Sequence, residues 1–136
     1  MIRGLLTDHI KNNVPDSEIA VLLSGGCDSL SCALAAHEVG LVVNAYSFHL
    51  DTHETYDYQM AKKASEIMGW NFTEVSVPTN NLENDWFRLR DLGCLKKTHY
   101  ETVYPMLYIY PVIQEKYVIT GFGADGYHCL SKKGVM

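Results

Sequence analysis

The sequence predicts an α/β domain, a three-layer sandwich built on a mainly parallel sheet. Short apolar runs bounded by turn residues recur along the chain and alternate with stretches of helical spacing. The first run, Ile19-Ala20-Val21-Leu22-Leu23, leads straight into Ser24-Gly25-Gly26-Cys27-Asp28-Ser29, small residues suited to a sharp strand-to-helix turn. With 136 residues the chain can bury a real core, and a single domain over residues 1–136 is expected.

Taken in order, residues 2–12 suit a short helix that ends near Asn12-Asn13 before Pro15. Residues 19–23 form the first strand. A helix over 29–39 follows, with Leu30, Ala33, Leu34 and His37 on related faces and Gly40 as its stop. The second strand spans 42–48, and a helix over 54–68 carries Tyr56, Met60, Ala64 and Ile67 at helical spacing. The third strand, 72–77, is closed by Pro78, and 82–91 is a further helical segment. Pro105 fits the first turn of a helix over 104–115, in which Pro111 must produce a kink or an end. Residues 117–120 make the fourth strand. Such alternation implies a parallel sheet covered on both faces, with ligands at the carboxyl ends of the strands. The loops at 24–29, 47–51 and 121–126 therefore converge there.

Composition narrows the function. The chain is 47% hydrophobic and 20% charged, and 11 basic against 16 acidic residues leave a net charge of −5. That balance opposes broad nucleic-acid binding. No apolar run approaches the ~20 residues of a membrane span, and Met1-Ile2-Arg3-Gly4 lacks a signal-peptide layout. Cys27, Cys32, Cys94 and Cys129 show neither a Cys-x-x-Cys pair nor zinc spacing, as expected of free thiols in the cytoplasm. His49-x-Asp51-x-His53 reads as a polar loop rather than a metal site. Tyr100, Tyr104 and Tyr108 share one helical face, an aromatic surface for core or interface packing.

The loop after the first strand carries the chemistry. Consecutive backbone amides and a helix N-terminus make a phosphate site, and Asp28 can hold Mg²⁺ bridging to a phosphate. There is no Gly-Lys-Ser or Gly-Lys-Thr of a Walker loop. Gly121-Phe122-Gly123-Ala124-Asp125-Gly126 spells G-x-G-x-x-G, but too close to the last residue for the helix and strand of a dinucleotide fold.

Ser-Gly-Gly-Xaa-Asp-Ser after a first strand resembles the pyrophosphate (PP) loop of the adenine nucleotide alpha-hydrolase superfamily. Within it, Tyr46-Ser47-Phe48, the Asp57-to-Gly69 stretch, Tyr104-Pro105-Met106-Leu107-Tyr108 and Val118-Ile119-Thr120-Gly121-Phe122-Gly123-Ala124-Asp125-Gly126 resemble the asparagine synthetases, over roughly residues 15–130. The resemblance implies an ATP- and Mg²⁺-dependent ligase that turns a carboxylate into an acyl-adenylate, from which an amine displaces AMP. It implies phosphate contacts from Ser24, Gly25, Gly26 and Ser29, metal binding by Asp28 and Asp125, adenine contacts at Ser47, and Gly121 lining the nucleotide site.

Departures from that pattern shape the expectations. The loop that reads Ser-Gly-Glu-Gly-Ala-Asp-Glu in asparagine synthetases has Phe122 and Gly126 in place of the two Glu residues. Glu101 aligns where an arginine holds aspartate, which disfavours aspartate and favours a neutral or amine-bearing substrate. The family's downstream lysine has no counterpart unless Lys132 or Lys133 replaces it, and the glutaminase half is missing. The expected partners are thus a small-molecule carboxylate, an amine donor, and a complementary C-terminal subunit or a second copy of the chain. The competing expectation is a nucleotide-binding or assembly protein with a degenerate site; a third is a superfamily member acting on tRNA or a deazapurine precursor.

Overall fold

The computed structural model describes residues 1–122. Strands β1 (Glu18–Leu22), β2 (Val42–Leu50), β3 (Asn71–Val77) and β4 (Val118–Thr120) form one sheet in the order β3-β2-β1-β4. All three pairings are parallel. The chain steps outward from β1 to β3 and then crosses to the other side of β1, so the order reverses between β1 and β4. A ligand crevice opens where such a reversal occurs, beyond the carboxyl ends of the strands. Leu22 is in register with both Tyr46 and Thr120, so residues 23 and 121 leave that edge beside Ser47, while β2, expected to give way to a loop at 47–51, runs on to Leu50 paired with β3.

Period-two alternation divides the core between the two faces. Ile19, Val21, Leu23, Val43 and Ala45 pack with Ile10 of α1 (Ile2–Asn13), Ala33 and Ala36 of α2 (Cys27–Glu38), and Ala61 of α3 (Tyr56–Met68). The alanines on α2 let that helix lie close to the sheet, and each fully buried Ile, Val or Leu contributes about 1.5–3 kcal/mol. On the opposite face Ala20, Tyr46 and Val75 pack with Ile109 of α6 (Met106–Ile109), joined by Leu22, Phe48 and Met106. Helices α4 (Leu82–Asp91) and α5 (Lys97–Val103) lie between β3 and α6 in the chain. The result is the predicted α/β architecture around a parallel sheet.

One expected element is corrected. The helix over 104–115 does not exist as a unit: α5 ends at Val103, α6 spans Met106–Ile109, and Tyr110–Val112 is a 3₁₀ turn. Tyr104 and Pro105 keep helical dihedrals, but Pro105 and Pro111 both lack an amide hydrogen, so no continuous ladder can run through both. Helix α5, in a stretch given no element from the sequence, is held by aromatic packing. The Tyr100 ring lies 5.2 Å from Trp86 and 5.5 Å from Tyr104, and its hydroxyl donates to the Leu82 carbonyl at 2.7 Å. The aromatic face expected of Tyr100 and Tyr104 is thus an internal packing surface. Among the described residues no helix is long and apolar enough to cross a membrane.

Two tyrosines on β2 and α3 are pinned by carboxylates. The Tyr46 hydroxyl donates to Glu115 at 2.8 Å, and the Tyr58 hydroxyl donates to Glu74. Burial, reinforced by the carboxylate partner, pushes each phenol up from 10 to about 12. A phenol raised on folding contributes stability that is complete below pH 10 and is lost as pH climbs through about 12. Denaturant unfolding across that window should show wild-type stability falling more steeply than that of the Tyr46→Phe/Tyr58→Phe double variant. Equal slopes would remove these pairs from the account of alkaline unfolding.

Candidate functional site

The loop between β1 and α2 is closed by its own serines. The Ser24 amide donates to Ser29 Oγ at 3.1 Å, the Ser24 and Ser29 hydroxyls lie 3.0 Å apart, and Ser29 Oγ reaches the Gly26 carbonyl at 3.3 Å. Gly26 is the N-cap of α2 and supplies no side-chain cap. The amides of Cys27, Asp28 and Ser29 therefore open the helix with no intrahelical acceptor. This is the arrangement in which a helix start receives an anion.

Two close backbone approaches hold the loop in place. Gly25 has φ +76°, and a Cβ there would meet Met60 Cβ at 2.9 Å, the Ala61 amide nitrogen at 3.1 Å and the Asp57 carbonyl oxygen. A Cβ on Gly121 would lie 2.8 Å from the Ser29 nitrogen and 3.1 Å from Asp28 Cβ. The loop is thus seated on the first turns of α3 on one side, and the end of β4 presses on the first turn of α2 on the other.

A cavity of about 400 Å³ opens at this edge. Its polar side includes Ser24, Gly26, Asp28, Ser29, Ser47, Thr55 and Asp57, and its apolar side includes Leu22, Phe48, Met106, Ile109 and Phe122. Thr55 caps α3 by accepting from the Tyr58 amide at 3.2 Å, so a second helix N-terminus borders the cavity. Among the described lining residues the carboxylates are Asp28 and Asp57, and none is Lys, Arg or His. Uncapped amides beside carboxylates, with no cationic side chain, fit a polyphosphate carried as its divalent-cation complex. The described residues contain no group of three His, Cys, Asp or Glu placed to hold a metal. A cation here would rely on Asp28 together with phosphate and water oxygens, the usual habit of Mg²⁺. A larger groove of about 600 Å³ between α1 and α2, bordered by Ile2, Leu6 and Leu34, has no comparable loop and lies away from the strand ends.

The structure brings Ser24, Gly26, Asp28, Ser29, Ser47 and Gly121 to the one cavity. Gly25 faces α3 instead of the cavity, and the Ser29 hydroxyl is engaged within the loop. Asp125 lies outside the described residues, as do Gly126, His128, Cys129, Lys132 and Lys133. Glu101 is exposed on α5, 3.5 Å from Lys97, and is not among the described residues that line the cavity. His49 and Asp51 are engaged separately, with His49 Nδ1 2.9 Å from the Leu50 carbonyl oxygen and Asp51 accepting from Thr79 at 2.8 Å. Sequence reading missed Thr55, Asp57, Met106 and Ile109. The signal for the first two was present, since Thr55 ahead of Asp57 is a helix-start pattern on a segment entering from the second strand.

Sheet order, loop and cavity define a PP-loop protein with the adenine nucleotide alpha-hydrolase-like fold. The asparagine synthase family model matches residues 1–131, and the chain belongs to that family. Comparison with curated protein sequences gives no match. Among solved structures, the chain is similar to NMN synthetase from Francisella tularensis, with TM-score 0.63 and 22% identity over 98% of this chain and 57% of that one. It is also similar to glutamine-dependent NAD+ synthetase from Acinetobacter baumannii, determined with adenosine diphosphate, at TM-score 0.60 and 16% identity over 96% of this chain and 26% of that one. NH3-dependent NAD synthetase from Campylobacter jejuni gives TM-score 0.56 and 12% identity over 88% and 52%. At these identities the likeness is one of fold. The chain spans little more than half of the first of these proteins and about a quarter of the second.

The glycine contacts yield a direct expectation. Gly121→Ala should cost about 1–3 kcal/mol through overpacking against backbone, and Gly25→Ala should cost more, because positive φ adds about 1–2 kcal/mol. Gly4→Ala, with nothing within 4 Å of the added Cβ, is the control and should not destabilise. Urea unfolding reads all three, and a Gly25→Ala variant as stable as Gly4→Ala would contradict the close approach.

Proposed function

We propose that this chain binds Mg-ATP at the β1–α2 loop and activates a carboxylate for amide formation, as one part of a split or oligomeric enzyme. The observation that carries the reading is the convergence of an uncapped helix start, Asp28 and an apolar wall on one cavity at the sheet's switch point. Family membership supports a ligase-type chemistry.

In this reading the first-turn amides of α2 and the Ser24 hydroxyl receive the β- and γ-phosphates. Ser29 keeps the loop closed and Asp28 holds the metal. Mg²⁺, when bound, neutralises phosphate charge and that of the departing pyrophosphate. Ser47, 5% exposed within β2, borders the nucleoside end, with Phe48, Met106 and Ile109 as an apolar wall for the base. A carboxylate oxygen attacks the α-phosphorus, the bond to the bridging oxygen breaks, and pyrophosphate leaves. The amine then attacks the acyl carbon, loses a proton, and releases AMP. Electrostatic stabilisation of the leaving pyrophosphate by preorganised amides is the chain's own contribution. The amine donor and the complementary C-terminal subunit, or a second copy, supply the rest.

A second reading, a nucleotide-binding or assembly protein without turnover, is favoured by Phe122. Its ring is 76% exposed at the cavity, where the family resemblance has a carboxylate. Calorimetry with Mg-ATP, paired with isotopic ATP–pyrophosphate exchange over a panel of carboxylic acids, separates the two. Mg-ATP should bind, and Asp28→Asn or chelation of the metal should weaken binding by at least about tenfold. Carboxylate-dependent exchange supports the ligase, whereas binding without exchange in any combination supports the second reading. Wild-type protein that fails to bind Mg-ATP removes both.

A further inference from the structure

The apolar wall of the cavity rests on a helix too short to hold itself. Helix α6 has four residues, no side-chain cap, and a proline on each flank. So short a helix gains little from its own hydrogen bonds. Yet Met106 and Ile109 both line the cavity. Ile109, 1% exposed, is fixed on the sheet side by Tyr46, Ala20 and Val75. On the other side its chain neighbour Tyr108 reaches Asp85.

Asp85 lies in the first turns of α4 and is 0% exposed. Tyr108, between the two wall residues, donates its hydroxyl to Asp85 Oδ2 at 2.6 Å. Asp85 Oδ1 is approached by Arg88 Nη1 and by Asn81 Nδ2, both at 3.4 Å. A wholly buried carboxylate is costly unless its acceptor sites are filled, and an apolar residue of similar volume would serve simple packing better. The Tyr108 bond is the short one of the three, and it joins α4 to α6 across 23 residues of chain.

Resting on the nucleotide reading above, we propose that Asp85 is a positioning residue for the base end of the nucleotide. Through Tyr108 it sets the placement of α6, and so the distance between the Met106–Ile109 wall and the loop that takes the phosphates. It touches neither nucleotide nor metal. The phosphate end is held by the β1–α2 loop, which shares no hydrogen bond with Asp85, so the two ends of the site respond separately to its loss.

The test uses two probes, Mg-ATP and Mg-tripolyphosphate, the second lacking the nucleoside. Calorimetric titration of wild type, Asp85→Asn, Tyr108→Phe and the double variant should show Mg-ATP weakened about tenfold in each single variant, the scale of one lost charge-assisted hydrogen bond. The double variant should lose no more than either single one, because both substitutions cut the same link. Mg-tripolyphosphate should bind all four alike, which also certifies that each variant is folded. A general loss of structure would weaken both probes together, and a bystander role would weaken neither; either pattern overturns the inference while leaving the nucleotide reading intact. Wild type that binds neither probe defeats the nucleotide reading itself.

Discussion

Everything at the functional edge depends on backbones meeting without side chains between them. Gly25 seats the loop on the first turns of α3, and Gly121 seats the end of β4 on the first turn of α2. Neither contact has room for a Cβ. Because β1 lies between β2 and β4, its outgoing loop has a neighbour on each side, and both neighbours are fixed by parallel register with β1. The loop is thus the shared surface of three strand exits. Its conformation is set by tertiary contact before any ligand arrives, which is the condition for amides to act as preorganised donors.

A second device recurs around this edge. Tyr46, Tyr58 and Tyr108 each place a phenol ring in the wall or its immediate backing and send the hydroxyl outward to a carboxylate, Glu115, Glu74 and Asp85 respectively. A large rigid ring fills space, while its polar tip finds the partner that burial demands. For Tyr58 the ring is further enclosed by His49, 4.9 Å away, and Phe72, 6.0 Å away. All three phenols are held above their ordinary range, by burial first and by the carboxylate second. Rings fixed at both ends make walls that do not collapse into an open cavity.

The sheet and the β1–α2 loop that borders the cavity were legible in the sequence because they are local. Strands of five to nine residues rich in Val, Ile, Leu, Phe and Tyr form the longer part of the sheet, and Ser24-Gly25-Gly26 followed by Asp28 is a contiguous signal. What could not be read was whatever depends on chain brought from afar. Helix α5 has weak helical propensity and exists because Tyr100 finds Trp86. The expected helix over 104–115, entered at Pro105 and expected to kink or end at Pro111, is instead a four-residue helix followed by a 3₁₀ turn. Glu101 lies on α5, which the turn at Tyr104-Pro105 separates from the wall that α6 builds. Met106 reads only as part of a family-like segment and Ile109 not at all, and only the crossover that lays α6 beneath β2 makes them a wall.

Charge decides what such an edge can accept. Two helix N-termini carry partial positive charge toward the cavity, whereas Asp28 and Asp57 place two full negative charges at its border. The amides alone attract an anion, and the carboxylates alone repel one. A bare polyphosphate gains the first interaction and suffers the second. A polyphosphate carrying a divalent cation keeps its oxygens for the amides and presents the cation to a carboxylate, so both features become favourable at once. In the proposed reading the site would discriminate by the pairing of charges more than by their sum. That is why a loop with no lysine, on a chain of net charge −5, remains chemically suited to one of the most highly charged small molecules in the cell.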